Sequence, residues 1–351
     1  MFTRHPDNPL ITPRQIAPSR PDFEVIGTFN AGVTTYGDET LMLVRVAERP
    51  LDSDPQMIAY PHMAADGLIN VEYISRADER FDTRDPRMIR QLHGARGDHA
   101  ILTSISHFRL ARSHDGAHFT VDHAPWLAGE PPYETYGIED ARITLIDGVY
   151  YVNYSAVSPY GIATGLVTTR DFVQIERHGL IFPPANRDVV LFPEKISGQY
   201  VCYHRPMPGV FGSLNMWIAF SPDLRHWGDH RMVLEAQPDG WEGGRVGGGC
   251  PPLRTDAGWL TIYHAADRHD RYCLGAFLTP LDQPERIIAR AQMPILQPEA
   301  PYETVGFFPN VVFTCGAILR ENVVSVYYGA ADAVIALAEI PLATLLAQLS
   351  S

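Results

Sequence analysis

The chain has 351 residues, of which 45% are hydrophobic, and its 41 acidic against 28 basic residues give a net charge of −13. A chain of this length can bury a large core without cross-links. The acidic balance argues against nucleic acid and anionic membrane surfaces as partners, since both require a basic face. A local cationic pocket for a small anion remains compatible with this charge.

The cysteines and the N-terminus predict the compartment. The four cysteines are widely spaced and form no CxxC pair, so we expect buried, reduced thiols and no zinc site. MFTRHPDNPL lacks the apolar centre of a signal peptide, and no run of 18 apolar residues follows. These features predict a cytoplasmic protein that binds no metal.

The first part of the chain predicts an extended arm followed by strands. Residues 1–22 are rich in proline and polar residues, which is typical of an extended N-terminal arm. Two short apolar segments then flank the turn Tyr36–Asp38, and the second, Leu41–Ala47, carries Arg45. An arginine inside a buried strand is unfavourable unless it is paired or contacts an anion. Residues 49–100 are less regular.

Two adjacent acids, Glu139 and Asp140, stand at the start of the strand–turn–strand segment Tyr136–Ala156. A carboxylate pair where a strand begins is a candidate for proton transfer. On residue types alone, a solvated loop is the commoner explanation of such a pair. The interpretation therefore depends on what the rest of the chain brings to the same place.

Five segments share one pattern, in which a turn precedes a strand that ends in aromatic and small residues. They are GDETLMLVRVA, DGVYYVNYSA, SGQYVCYHRP, AGWLTIYHAA and ENVVSVYYGAA. The last four begin roughly 50 to 65 residues apart, close to the spacing of propeller blades. Helical periodicity is nearly absent before IPLATLLAQLS. We predict an all-β fold, a single five-bladed β-propeller domain over residues 1–351 with a short C-terminal helix at 340–351; the alternative is a β-sandwich with irregular loops.

The strands of these five segments are the candidates for the innermost strands of the propeller. Polar side chains near their ends should then converge on one pocket around the axis. The residues at these equivalent positions are Arg45, Asn153 with Tyr154, His204 with Arg205, His264 and Asp332.

The predicted pocket sets an acid, Asp140, against several cations. Arg245 joins them from the glycine run Trp241–Pro252, where exposed backbone N–H groups can meet an anion. A flexible connection is an equally good explanation of that run, which lacks the GK[ST] of a P-loop. An acid facing cations suits a glycosyl transfer in which phosphate is the nucleophile. Hydrolysis would need a second carboxylate near a water.

From about Thr28 to Ala347 the sequence resembles glycoside hydrolase family 130, the mannoside phosphorylases and mannosidases. The motifs that carry the resemblance occur in the family's order. They are TFNAG with LVRVAERP, GIEDARIT, NRDVVLFPEKI, YHRP, RVGGGCPP, IYHAAD, GFFPNVVF and YYGAAD. The resemblance also implies a five-bladed propeller and single-displacement, inverting chemistry.

The resemblance assigns roles to the candidate residues. Asp140 falls on the general acid, which in many members acts through the 3-hydroxyl of the mannose being cleaved. One departure is Ala141, where the family commonly has proline. Glu139 is expected to contact substrate, to orient the turn or to pair with a cation such as Arg142. The other expected substrate contacts are Asn30, Arg45, Tyr154 and Asp332, and the expected phosphate ligands are His204, Arg205, Arg245 and His264.

The sequence thus favours inverting phosphorolysis of β-mannosides, with α-D-mannose 1-phosphate as the product. LVRVAERP and RDPR look similar to members that act on β-1,2-mannobiose or β-1,2-oligomannosides. Inorganic phosphate would be the co-substrate, with no other cofactor. The expected partners are a small oligosaccharide and further copies of the chain, since propeller enzymes of this kind often pair through rim loops.

Three other functions stay open at this point. A β-1,2-mannosidase would need a base, for which Glu194 and Glu242 are the first candidates. A phosphorylase of β-1,4-mannosyl-glucose or β-1,4-mannooligosaccharides would share the acid but differ in linkage. A non-catalytic glycan-binding or scaffold propeller would not need Asp140 as a proton donor.

Overall fold

The computed structural model describes residues 2–51, 54–92 and 99–350, and within them the chain is all-β. None of the helices in these ranges is long and apolar enough to cross a membrane. Two short α-helices occur, α1 (Pro301–Thr304) and α2 (Leu342–Leu346). The strands in chain order are β1 (Thr3–Arg4), β2 (Phe23–Tyr36), β3 (Glu39–Pro50), β4 (Met57–Met63), β5 (Ile69–Ser75), β6 (Phe81–Asp82), β7 (Met88–Gln91), β8 (His99–Leu102), β9 (Ile105–Ser113), β10 (Thr120–Val121), β11 (Ile138–Ile146), β12 (Val149–Ser158), β13 (Gly161–Thr169), β14 (Glu176–Phe182), β15 (Asn186–Leu191), β16 (Tyr200–Pro206), β17 (Met216–Ser221), β18 (Gly228–Leu234), β19 (Arg245–Gly248), β20 (Leu253–Thr255), β21 (Gly258–Ala266), β22 (Tyr272–Thr279), β23 (Ala289–Ala291), β24 (Val312–Arg320), β25 (Val323–Ala330), β26 (Val334–Pro341) and β27 (Leu349–Ser350).

These strands form five antiparallel sheets of four to six strands. Four sheets have the orders β10-β9-β3-β2, β11-β12-β13-β14, β15-β16-β17-β18 and β1-β26-β25-β24. The fifth runs β19-β21-β22-β23-β27, with β20 beside β21. Two smaller sheets, β4-β5 and β6-β7-β8, lie between β3 and β9 in the chain. The predicted all-β class is confirmed.

Neighbouring sheets contact each other mainly through their first strands. β2 contacts β11, β11 contacts β15, and β15 contacts β19. β24 contacts β21 and β22 on one side and β2 on the other, so the contacts form a closed cycle. The apolar core is divided accordingly, and one cluster joins Leu41 and Phe108 of one sheet to Ile143 and Val152 of the next. The strands predicted to be innermost, β3, β12, β16, β21 and β25, are instead second in their sheets.

Three of the sheets share one kind of turn. It joins the third strand to the fourth in the hairpins β9–β10, β13–β14 and β17–β18. The Oδ1 atom of an aspartate accepts hydrogen bonds from the backbone N–H groups two and three residues later, and a serine or threonine stands two residues before it. The aspartates are Asp115, Asp171 and Asp223. Side-chain acceptors of this kind fix a turn locally.

Both ends of the chain belong to these sheets. The described part of the arm, residues 2–22, contains β1 and a 3₁₀ turn at Pro13–Gln15, and β1 pairs with β26. The predicted C-terminal helix is shorter than 340–351, because α2 ends at Leu346 and β27 then pairs with β23. Met1 and Ser351 lie outside the described residues.

A buried ion pair attaches β1 to the rest of the molecule. Arg4 donates from Nε and Nη2 to the two carboxylate oxygens of Glu303 at 2.7 and 2.9 Å, and the Glu303 side chain is fully buried. Tyr328 also donates to Glu303, at 2.8 Å. Removing one partner of a buried pair leaves the other charge without compensation.

We therefore predict that Arg4→Ala lowers the free energy of unfolding by about 3 kcal/mol, measured by urea denaturation. The control is Arg112→Ala, whose partner Asp122 is exposed, and a loss of about 0–1 kcal/mol is expected there. Equal losses in the two variants would contradict the structural role of the Arg4–Glu303 pair.

Candidate active site

Three first strands bulge at the same place, and each bulge presents a polar side chain. The pairing registers of β2, β11 and β15 shift after Phe29, Glu139 and Arg187. The residue that follows in each strand has a left-handed backbone. The φ angles are 50° at Asn30, 56° at Asp140 and 56° at Asp188. Asparagine and aspartate tolerate this region better than most residues, and bulges commonly redirect side chains beside active sites.

The three bulges open onto one cavity of about 340 Å³. Side chains from all five large sheets line it, together with the segment before β7 and the segment after α1. Eight of the ten predicted site residues lie on its wall: Asn30, Arg45, Glu139, Asp140, Arg205, Arg245, His264 and Asp332. The sequence therefore predicted correctly that these positions converge.

One side of the cavity is a network of carboxylates around Arg45. Arg45 donates from Nη1 to Asp140 Oδ1 at 2.9 Å and from Nη2 to Glu139 Oε1 at 2.8 Å. Asn30 Nδ2 donates to the same Asp140 oxygen at 3.0 Å, and Arg187 Nη2 donates to Glu139 Oε2 at 2.8 Å. Arg45 is therefore paired, as its position in an apolar strand requires. Arg45 thus bridges the two acids.

The proposed pairing of Glu139 with Arg142 is wrong. The bulge at Asp140 separates the two residues, so Arg142 points towards the glycine run and away from Glu139. Its guanidinium is buried and donates to the carbonyl oxygens of Gly248 and Gly249, both at 2.8 Å. Arg142 also approaches Asp188 at 3.4 Å.

The opposite side of the cavity is cationic and is organised by Asp188. Arg205 Nη1 lies 2.8 Å and His264 Nε2 lies 3.4 Å from Asp188 Oδ2. Arg245 donates to the Tyr272 hydroxyl at 2.7 Å and also pairs with Asp270. Among the described residues on this side, three donors, the Nε atoms of Arg205 and Arg245 and Nδ1 of His264, have no hydrogen-bond partner, and neither has the acceptor Oδ2 of Asp188. Buried donors are rarely left unpaired, so this side is suited to an anion.

His264 is neutral in this arrangement. Burial lowers the pKa of His264 below its ordinary value, although the charge of Asp188 opposes the shift. Arg205 Nη1 lies 3.1 Å from His264 Nε2, and this contact requires the imidazole nitrogen to accept. The positive charge on this side therefore comes from the arginines.

His204 is not part of the cavity wall. Its ring stacks on Phe182, with centroids 4.8 Å apart, and contacts Asn186 and His230 at 3.0 Å. Neighbouring side chains on a strand face opposite sides, so Arg205 and His204 cannot both point into the cavity. Burial lowers the pKa of His204 to about 3, so the side chain is neutral. Its position does not support the prediction that His204 is a phosphate ligand.

Tyr154 is also absent from the wall. It packs in the apolar core, is only 2% exposed, and donates from its hydroxyl to Glu134 at 2.7 Å. The neighbouring Asn153 is buried as well and donates to the carbonyl oxygen of Val189 at 2.7 Å. Both residues lie on β12, the second strand of its sheet, whereas Asp140 comes from the first strand. The prediction that Tyr154 contacts substrate is therefore not supported by its position.

The sequence analysis missed several residues of the wall. They are Phe29, Arg87, Arg187, Asp188, Asp270, Tyr272 and Phe308. A signal for two of them was present, because Phe29-Asn30, Glu139-Asp140 and Arg187-Asp188 occupy equivalent bulges. Comparing the first strands with one another would have identified Arg187 and Asp188.

Two acids of the carboxylate side have opposite pKa shifts. Burial alone would raise the pKa of Asp140, but the charges of Arg45, Arg187 and Arg142 outweigh it and hold the pKa below its ordinary value. Burial raises the pKa of Asp332 to about 7, with Arg45 opposing and the neighbouring carboxylates reinforcing the shift. Without ligand, Asp140 is therefore ionised, and Asp332 titrates near neutrality.

Comparison with known proteins agrees with these features. The family described as beta-1,4-mannooligosaccharide phosphorylase matches residues 98–350, and the chain belongs to this family, glycoside hydrolase family 130. Its members include mannoside phosphorylases, so the resemblance found in the sequence is confirmed.

Two relatives illustrate the likeness. Beta-1,2-mannobiose phosphorylase from Listeria innocua is 47% identical over 347 residues, covering 99% of this chain and 98% of the relative. 1,2-beta-oligomannan phosphorylase from a Thermoanaerobacter species is 44% identical over 239 residues, covering 67% and 78%. The solved complex of the Listeria innocua enzyme with beta-1,2-mannobiose superposes with a TM-score of 0.95 over 99% of this chain and 98% of that one.

The raised pKa of Asp332 predicts a pH-dependent stability. The folded protein binds this proton more tightly than the unfolded chain, so the stabilising contribution is lost as pH rises from about 4 towards 7. Asp332→Asn should therefore unfold at a Tm higher than that of the wild type at pH 8, by roughly 2 °C, with a smaller difference at pH 5. The exposed Asp256→Asn serves as the control, and the same Tm difference for Asp332→Asn at both pH values would contradict the prediction.

Proposed function

We propose that the protein catalyses the inverting phosphorolysis of β-mannosides and releases α-D-mannose 1-phosphate. The observation that carries the proposal is one cavity with an acid network at Asp140 on one side and two arginines, Arg205 and Arg245, on the other. The 47% sequence identity with the Listeria innocua enzyme favours β-1,2-mannobiose and short β-1,2-oligomannosides as substrates. Phosphorolysis of β-1,4-mannosides is the second candidate activity, because the matching family is described as beta-1,4-mannooligosaccharide phosphorylase.

Asp140 is the proposed general acid. Arg45 and Asn30 fix one of its oxygens, which orients the carboxyl group towards the sugar. Its pKa is low while the arginines are not balanced by phosphate. A bound phosphate would neutralise part of their field, and the pKa of Asp140 would rise towards the value that a proton donor needs. The proton would pass through the 3-hydroxyl of the mannose, as the family resemblance implies.

The cationic side is the proposed phosphate subsite. Arginine is suited to phosphate because its planar fork can donate two parallel hydrogen bonds. Arg205 is fixed by Asp188, and Arg245 is fixed by Tyr272 and Asp270. These arginines are therefore ordered before the anion binds. Neutral His264 can add a hydrogen bond from Nδ1.

A hydrolase is disfavoured by the positions of its candidate bases. Glu194 pairs with Arg254 on the surface, and Glu242 is buried against Tyr263 and Arg290. Neither glutamate is among the residues on the cavity wall. An inverting hydrolase needs a carboxylate that can activate water opposite the acid, and neither residue is placed for that role.

The further proposals concern the fold, the co-substrate, the cellular location and the oligomeric state. The five sheets and their closed cycle of contacts support a single five-bladed β-propeller domain over the whole chain. Phosphate is the proposed co-substrate, without a metal or an organic cofactor. The cytoplasmic location and a homo-oligomer remain predictions, the first supported by four buried cysteines that form no disulfide.

The proposal predicts that β-1,2-mannobiose yields mannose 1-phosphate only when inorganic phosphate is present. Product formation is followed with and without phosphate, by chromatography and by ³¹P NMR. The released sugar phosphate should be the α anomer, because a single displacement inverts a β-linkage. Equal turnover to free mannose without phosphate would contradict phosphorolysis and identify a mannosidase.

Asp140→Asn is the control for the role of the acid. It retains the shape of the side chain but loses the proton donor, so turnover should fall by about 10²–10⁴. Circular dichroism and Tm establish that the variant is folded. Unchanged turnover would contradict the assignment of Asp140. Binding of mannobiose by a wild-type protein that releases no product would indicate a glycan-binding protein.

A further inference from the structure

A groove of about 550 Å³ adjoins the cavity and has no role in the chemistry described above. It runs along residues 82–90 on one side and along Phe307 and Phe308 on the other. Arg87, Phe307 and Phe308 line both the groove and the cavity, so the two spaces are continuous. We propose that this side groove is a subsite for additional mannosyl units of β-1,2-oligomannosides, and this inference rests on the proposed function.

The charges of the side groove favour a neutral ligand. Arg84 donates from Nε and Nη2 to Asp82 at 2.9 and 2.7 Å, and Arg87 donates in the same way to Asp85 at 3.0 and 2.9 Å. Each arginine is thus neutralised by the aspartate two residues before it. Arg90 is the remaining charged residue of the groove. A second phosphate would find little uncompensated charge here, unlike at the cationic side of the cavity.

The same pairs hold the arginines in place before a ligand binds. The backbone N–H groups of Arg84 and Arg87 also donate to Asp82 and Asp85, at 3.1 and 2.9 Å. A guanidinium has five N–H groups, and the bidentate pair occupies those on Nε and one on Nη2. The remaining groups can donate to sugar hydroxyls. Because the side chains are already ordered, less rotamer entropy is lost on binding.

Aromatic surface completes the side groove. The Arg87 guanidinium lies 4.3 Å from the centroid of the Phe308 ring and fixes that ring where the groove meets the cavity. Phe307 beside it is partly exposed. Aromatic surface with a few fixed polar groups is typical of a small-molecule site, and it is suited to the alternating apolar and hydroxyl faces of a sugar.

The position of Arg87 explains the direction in which an oligosaccharide would extend. Its pKa is raised first by the hydrogen bond to Asp85, and the charges of Asp332 and Asp270 add to the shift. Arg87 lines both spaces, so it lies at the junction of the cavity with the groove. With the donor mannose against Asp140, this junction offers the remaining sugar units a continuous path out of the cavity. A disaccharide would occupy the cavity, and a longer chain would reach the side groove.

The test compares β-1,2-mannotriose with β-1,2-mannobiose in the wild type and in two variants. Arg84→Ala removes a groove arginine that does not line the cavity. Arg80→Ala is the matched control, because Arg80 pairs with Asp78 through the same Asp-x-Arg turn but lines neither space. Both side chains are largely exposed, at 90% and 77%, so neither substitution should unfold the protein. The measured quantity is the ratio of kcat/KM for the triose to that for the biose.

Arg84→Ala should lower this ratio about fivefold, roughly the effect of losing one ordinary hydrogen bond, while Arg80→Ala leaves it unchanged. Any of three outcomes would overturn the groove assignment. The ratio could be unchanged in Arg84→Ala, it could change equally in Arg80→Ala, or the wild type could fail to act on mannotriose. These outcomes leave phosphate-dependent cleavage of mannobiose intact. Failure of the proposed function would be recognised differently, because the wild type would then release no mannose 1-phosphate from mannobiose. The groove assignment would be overturned in that case as well.

Discussion

The site depends on Arg45, which holds two acids from another sheet. Its guanidinium bridges Glu139 and Asp140 and lies 4.4 Å from the centroid of the Phe29 ring. Charges this deeply buried are tolerated only when they are paired and hydrogen-bonded. Arg45 therefore fixes the position of the acid and sets its protonation state. Without it, Asp140 would lose its nearest positive charge and Glu139 one of its two partners.

Asp188 has the corresponding function on the cationic side. It occupies the same bulge position as Asp140 and pairs with Arg205, and His264 lies beside it. Arg142 connects the two sides, since it contacts Asp188 and donates to the backbone carbonyl of Asp140 at 3.2 Å. Binding of phosphate on one side is thus expected to change the field at the acid on the other. The separation of charge across the cavity is the physical basis of the proposed phosphorolysis.

Much of this arrangement could be predicted from the sequence. The recurrent strand pattern predicted the all-β class, and the motif series predicted the family and most of the wall. His204 was grouped with the wall residues because the pattern could not show which of two neighbouring side chains faces the cavity. Arg187 and Asp188 were missed because the prediction rested on the second strands of the sheets, whereas the bulges that present these two residues lie on the first strands. The C-terminal helix was overestimated because apolar spacing cannot reveal that β27 pairs with β23.

The most direct measurement is a crystal structure of Asp140→Asn with β-1,2-mannobiose and phosphate bound. The account predicts phosphate against Arg205 and Arg245, on the opposite face of the mannose from residue 140. It also predicts the cleaved mannose within hydrogen-bonding distance of Asn30 and Arg45. Phosphate on the same face as residue 140, or bound outside the cavity, would contradict the account.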